Sequence, residues 1–173
     1  MEIAGLGVVV LDDKLGCWLS EEIAIPVLDD TPCLVAIRGY DDDPAPEDFH
    51  AAIRNFLTLD RSVLLAAAPH IFAYYRDVTE DAGDDWRVEI DSPADVFDHL
   101  RFVELVTIER DQLDDRHVYV SVEGDCDWND EDGLQLVFRD GLAVTKAGPF
   151  DGHLTNAGAY ADESLRGVVY PAR

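Results

Sequence analysis

The chain has 173 residues, 47% hydrophobic and 9% aromatic, which is enough apolar content to close a core and too much for a disordered polymer. Thirty-seven Asp and Glu stand against thirteen Lys and Arg, a formal net charge of -24 at pH 7. A field of that sign repels nucleic acid and anionic membrane and attracts basic proteins and divalent cations.

Nowhere do ~18 consecutive apolar residues occur, so no spanning helix is expected. The N-terminus MEIAGLGVVVLDD lacks the basic start and cleavage pattern of a signal peptide. Cys17, Cys33 and Cys126 are an odd number without close spacing, which argues for a reducing compartment; the expected location is cytoplasmic.

Residues 3 to 11, IAGLGVVVL, read as a strand, and DDKLG as an Asp/Gly turn. CWLSEEIAIPV follows as a partner strand ended by Pro26, and CLVAIRGY (33 to 40) as a third strand. The loop DDDPAP leads into a helix with Pro46 in its first turn. Its apolar residues at 49, 52, 53, 56 and 57 keep the spacing of an amphipathic helix. A second helix starts near Asp60 as N-cap, with the stripe Leu64, Ala67, Ala68, Ile71, Phe72, Tyr75. That stripe stays in register across Pro69 and predicts one kinked helix or two abutting ones. The two helices are expected to form an antiparallel hairpin over one face of a sheet.

TEDAGDDW reads as a polar break, and SPADVFDHL (92 to 100) as a short helix capped by Ser92 with Pro93 in its first position. FVELVTIER, HVYVSVE, LQLVFR and LAVTK are four strand-like runs, the last two joined by the hairpin signal Asp140-Gly141. NAGAYADESLRGVVYPAR is weakly patterned. The expectation is a single α+β domain over 1–173: a mixed or antiparallel sheet from N- and C-terminal strands, packed against the helical hairpin, with 156–173 as a loose C-terminal extension. Alternation places Val118, Val120, Val122, Leu134, Leu136 and Phe138 in one core with Phe49, Ile53, Phe56, Leu64 and Phe72.

Acidic residues cluster at 41–48, 77–98 and 111–132, with six between Glu123 and Asp132. Asp125, Asp127, Asn129 and Glu131 alternate like the opening of a calcium loop. The sixth position, however, is Asp130 and not Gly, and the twelfth is Leu136 and not a bidentate Glu. No specific metal site is expected there, and Cys126 lacks neighbours at zinc-ligand spacing. The five histidines sit in unrelated contexts, without a nucleophile elbow, phosphate loop or dinucleotide fingerprint, so no catalytic residue and no cofactor is assigned. Trp128 is open to two readings, an anchor for a partner or a plug at the core edge. Cys126 reads as a small buried residue, and His153 as a loop histidine that ties down backbone carbonyls.

VYVSVEGDCDWNDEDGLQLVFRDG followed by GPFDGHLT resembles the C-terminal signature of an uncharacterised bacterial domain family, C-x-W-x-x-E-x-G-L-Q-L-V-F-x-x-G and then Y-D-G-H-L-T. FLTLDRSVLLAAAPHIFAYYRDV and SPADVFDHL resemble the helical middle of the same family, so the likeness runs from about residue 20 to 155. The matching positions are Cys126, Trp128, Glu131, Gly133, Leu134, Gln135, Asp151, Gly152, His153 and Leu154. Phe150 departs from the family's Tyr, and Asp132 from a common His, which removes a second polar group near Glu131 and weakens an enzyme reading. The resemblance implies no activity. It implies kinship with small acidic proteins encoded near bacterial polymorphic toxins.

The expected function is a non-enzymatic acidic binding protein, a cytoplasmic immunity protein that neutralises a basic toxin domain. Asp125, Asp127, Trp128, Asp130, Glu131 and Asp132 are its candidate contacts, and Asp41, Asp42 and Asp43 a second set. The expected partner is a basic protein, not nucleic acid or membrane, and the oligomeric state is left open. The alternatives are a metal-dependent hydrolase using the 123–132 carboxylates, or a structural domain whose charge serves only solubility.

Overall fold

The structure, a computed structural model, describes residues 1–82, 88–112 and 115–172. The strands are β1 (Glu2–Ile3), β2 (Gly7–Asp12), β3 (Cys17–Ser20), β4 (Ile23–Ile25), β5 (Thr31–Arg38), β6 (Leu100–Arg110), β7 (Val118–Cys126), β8 (Asn129–Arg139) and β9 (Ala143–Gly148). The helices are α1 (Pro46–Phe56), α2 (Ser62–Ala82) and the short α3 (Asn156–Tyr160), with 3-10 stretches at Pro26–Leu28, Pro93–His99 and Glu163–Leu165. The strands form one mixed sheet in the order β1-β2-β3-β5-β6-β7-β8-β9, with β4 beside β5. The class is α+β, with the sheet dominant.

One pairing decides the arrangement. β5 and β6 run parallel, Leu34 opposite Leu105 and Ile37 opposite Ile108, whereas the other paired strands run antiparallel. A parallel pair cannot be closed by a tight turn and needs a crossover, and α1 and α2 lie in it. The two helices make their main contacts with other elements and not with each other. α1 packs mainly on β7, and α2 on β9 and the 93–99 turn. An apolar stripe says that a helix has a buried face but not what that face meets.

The stripe residues themselves are buried as expected. Phe49, Ile53, Phe56 and Leu64 join Val118, Val120, Val122, Leu134, Leu136 and Phe138 in one cluster, and Phe72 is half-buried against it. Phe56 meets Phe138 edge-on at 5.2 Å between ring centroids. α2 is one helix with Pro69 inside it, and the carboxylate of Asp60 accepts from the Ser62 N–H before its first turn. The first four residues of the expected polar break (Thr79 to Ala82) continue that helix; 83–87 lie outside the described residues.

Three other expectations are corrected. IAGLGVVVL is not one strand: Gly5 and Gly7, at φ +93 and +74, turn the chain back so that Ile3 pairs with Gly7. CWLSEEIAIPV breaks into β3 and β4, which pair with different stretches of β5. The C-terminal stretch, read as a loose extension, is fastened. Ala147 N–H donates to Val169 O, the Asn156 amide to Val168 O, and the Tyr170 hydroxyl to Asp77 on α2.

The β8–β9 turn is pressed against α1. Asp140 and Gly141 both have positive φ, 51 and 66, and the Asn55 amide donates to Asp140 O. A Cβ on Gly141 would fall inside contact distance of the Ala52 carbonyl oxygen. Gly141→Ala should therefore cost about 3 kcal/mol in urea unfolding, from left-handed strain plus overpacking. Gly7→Ala has the strain but no atom within 4 Å of the new methyl, and should cost about 1 kcal/mol. Equal losses would contradict the close approach.

Candidate functional site

The topology separates the two acidic sets. Because β5 and β6 are parallel, the loop that leaves β5, with Asp41, Asp42 and Asp43, sits by the exit of β6 at Arg110. β7 runs back antiparallel, so the β7–β8 hairpin with residues 125–132 lies at the opposite end of the sheet. Eight residue steps along β7 separate the ends, about 27 Å at strand rise.

At the first end Asp43 and Asp48 are engaged by Arg110. Asp43 takes a bidentate grip from Arg110, Nε at 2.7 Å and Nη2 at 3.0 Å, with side chains only 1% and 7% exposed. Arg110 also reaches Asp48 at 2.9 Å and lies over the Phe49 ring. The Arg110 hydrogen bonds hold the Asp43 carboxyl below its usual range, against the opposing effect of burial. Asp43 is therefore not an exposed contact. Asp41 and Asp42 are exposed, Asp41 accepting from the Trp18 indole at 2.9 Å. Nearby, His117 Nδ1 lies 2.8 Å from Asp140 and its Nε2 meets Arg139, so both ring nitrogens are engaged.

The hairpin end is different. Cys126 pairs with Asn129, leaving Asp127 and Trp128 at the turn. Trp128 faces inward at 6% exposure, edge-on to Tyr74 and Tyr75 at 6.2 and 5.9 Å, and this decides for the core plug. Its indole N–H is buried and has no partner among the described residues. Cys126 is buried as expected, and burial pushes its thiol up to about 11. Asp127 is held by His99 at 3.1 Å and Arg101 at 3.2 Å, which lower its carboxyl, His99 foremost.

Asn129 organises the start of β8. Its amide donates to the Tyr74 hydroxyl at 2.7 Å, its oxygen accepts from the N–H groups of Glu131 and Asp132, and Tyr74 in turn donates to Gly133 O. Gly133, at φ +59, lies so close to Gly124 that a Cβ would come 2.6 Å from the Gly124 oxygen. The polar strand residues are thus turned outward by a buried hub. Asp125, Asp130, Glu131 and Asp132 are exposed and Glu123 is half-buried; all five line a surface cavity of about 390 Å³ with Arg101, Val103 and Phe150. Burial raises the Glu123 carboxyl above its usual range.

Gln135 and Asp151 meet at a group that no sequence motif singles out, Lys146. Its side chain is 2% exposed, and its ammonium donates to Gln135 at 2.6 Å and Asp151 at 2.7 Å. Burial lowers the Lys146 pKa, and Asp151 opposes the shift. Asp151 also accepts from the His153 N–H, and Phe150 N–H donates to Asp132 O, so the 150–153 loop is bound to the hairpin end. The tie in this loop is Asp151; His153 and Gly152 are exposed. One signal for Lys146 was legible: it is one of only two Lys in the chain and ends a strand-like run.

Among the described residues no group of three or more His, Cys, Asp or Glu is placed to hold a metal ion, and no helix is long and apolar enough to cross a membrane. Residues 5–154 match a family described as a domain of unknown function (DUF6985). The chain belongs to this family. No curated protein and no solved structure matches the chain.

Two measurements check these placements. Trp128→Ala should lower stability by about 3 kcal/mol through the cavity it leaves, visible as a large fall in Tm; an unchanged Tm would return Trp128 to the surface. Asp43→Asn should cost about 3 kcal/mol by leaving Arg110 buried and short of a partner. Because the Asp43 carboxyl is depressed in the folded state, its contribution is present above the unfolded value near pH 4 and fades as pH falls below it. Between pH 5 and pH 2 the wild type should therefore lose more stability than Asp43→Asn, and parallel pH profiles would contradict the ion pair.

Proposed function

We propose that the chain is a non-enzymatic binding protein for a basic protein partner, and specifically a cytoplasmic immunity protein that neutralises a basic toxin domain. The observation that carries this reading is the hairpin-end cavity. Glu123, Asp125, Asp130, Glu131 and Asp132 line it, and Arg101, the one cation among its lining residues, is already engaged by Asp127. Carboxylates crowded this way repel one another, and a cation arriving from outside relieves that repulsion. Phe150, 46% exposed beside them, offers an aromatic side chain for a partner to cover.

A domain that attacks nucleic acid presents a basic cleft for the phosphates. An acidic protein is steered to such a cleft by long-range attraction, and its carboxylates occupy phosphate positions. The net charge of -24 supplies the steering and the hairpin end supplies the contact. Asp41 and Asp42 lie at the other end of the sheet, and the reading leaves them to the general field.

The test is capture of the native partner followed by association kinetics over a salt series. The on-rate should fall steeply between about 50 and 500 mM salt, as screening shortens from more than 10 Å to a few ångström. Replacing Asp125, Asp130, Glu131 and Asp132 together by their amides should cut the on-rate about tenfold or more, with Tm unchanged or slightly raised, because exposed charges contribute little stability and the amides relieve their mutual repulsion. A neutral or acidic partner, or an on-rate indifferent to salt, would overturn the reading.

A further inference from the structure

Half of the large hydrophobic residues left exposed fall in the first fifteen positions: Met1, Val8, Val10, Leu11 and Leu15, out of ten in all among the described residues. Two of them, Val8 at 63% and Val10 at 67%, flank Val9, which is 1% exposed and belongs to the core under the helices. Alternation therefore puts Val8 and Val10 on the opposite face of the sheet. The pairing register extends that face inward. Val10 opposes Leu19, Leu19 opposes Ala36, Ala36 opposes Thr107, and two steps back along the strands Leu34 opposes Leu105. Leu19, Leu34 and Leu105 are half-buried, and Ala36 and Thr107 between them are buried, at 3% and 7% exposure. Scattered exposed aliphatics need no explanation, but Val8 and Val10, exposed on one face of a strand with half-buried Leu19 beside them, do.

We propose that this face, turned away from the core and exposed at Val8 and Val10, is where the basic partner seats aliphatic side chains that lie between its Lys and Arg residues. The proposal rests on the electrostatic reading and adds the apolar half of the contact. Its occupant is fixed by charge. Asp12 lies two positions beyond Val10, Glu109 two beyond Thr107, and Glu123 opposite the irregular stretch of β6 between Phe102 and Val106. Arg38, 3.9 Å from Glu109, is the cation on this part of the face. A second copy of the chain would bring like-charged rims together with -24 on each side, so the face suits a cationic partner and not itself. The face is also continuous with the acidic cavity, because Val103 and Glu123 line that cavity and stand at its border.

Two 12-residue peptides of equal charge test this, one alternating Lys with Val and one alternating Lys with Ser, titrated into the full chain by fluorescence anisotropy at low salt. The Lys–Val peptide should bind about tenfold more tightly, the worth of partly burying two or three aliphatic groups. In the Val8→Ser/Val10→Ser double variant, whose changes are exposed and leave Tm nearly constant, that preference should vanish while Lys–Ser binding stays. If both peptides bind equally and the double variant changes nothing, the apolar face is overturned and the electrostatic reading survives. If neither binds, both fall. A chain that sediments alone as a dimer, and as a monomer once Val8 and Val10 are Ser, would make the face a self-association surface and overturn the proposal.

Discussion

The parallel pairing of β5 with β6 is the constraint on which the remaining architecture depends. Two parallel neighbours demand a crossover, and here it carries α1 and α2 over the sheet face made by Val35, Ile37, Val106, Ile108 and the even-numbered valines of β7. The same pairing brings the exit of β5 beside the exit of β6, where Arg110 finds Asp43 and Asp48. It also sends the β7–β8 hairpin to the far end. The two ends then have different chemistry. One buries Asp43 in an ion pair with Arg110 and leaves Asp41 and Asp42 exposed, and the other displays Asp125, Asp130, Glu131 and Asp132 around one cavity. Reversing a single strand direction would merge the two acidic sets and cover both faces differently.

Leaving carboxylates exposed and close together requires a rigid base, and the hairpin end has one. Trp128 is wedged against Tyr74 and Tyr75, Tyr74 bridges Asn129 and Gly133, and Lys146 links Gln135 of β8 to Asp151 of the following loop. These contacts join residues of the hairpin end to one another across strands. Cys126, Trp128, Gly133, Gln135 and Asp151 shape the surface, whereas Asp125, Asp130, Glu131 and Asp132 are displayed on it.

Much of the C-terminal half was legible in the sequence because local and global preferences agree there. Val118, Val120 and Val122 alternate cleanly, and Asp140-Gly141 adopts the positive φ angles its composition favours. IAGLGVVVL misled because an unbroken apolar run carries no period, while the two glycines let the chain reverse within it. The polar stretch after Val78 contains Glu and Ala, good helix formers, and the Thr79 hydroxyl donates back to Tyr75 O, so the helix continues through it. Asp43 resembles its neighbours until Arg110, 67 residues away, selects it. No local pattern reports such a partner. Trp128 has the same character: its sequence context favours a core plug but leaves the anchor open, and the positions of Tyr74 and Tyr75 decide.

The proposed function requires that this charge be sited, with the hairpin end open to a cation-rich partner and Asp43 at the other end committed to the fold. Backbone hydrogen exchange of the full chain, alone and with polylysine at low salt, tests this most directly. The account predicts slowed exchange at 101–105 and 123–132, with 41–48 and both long helices unchanged. Equal protection of 41–48 and 123–132 would contradict it, and would mean that the acids act only as a diffuse field.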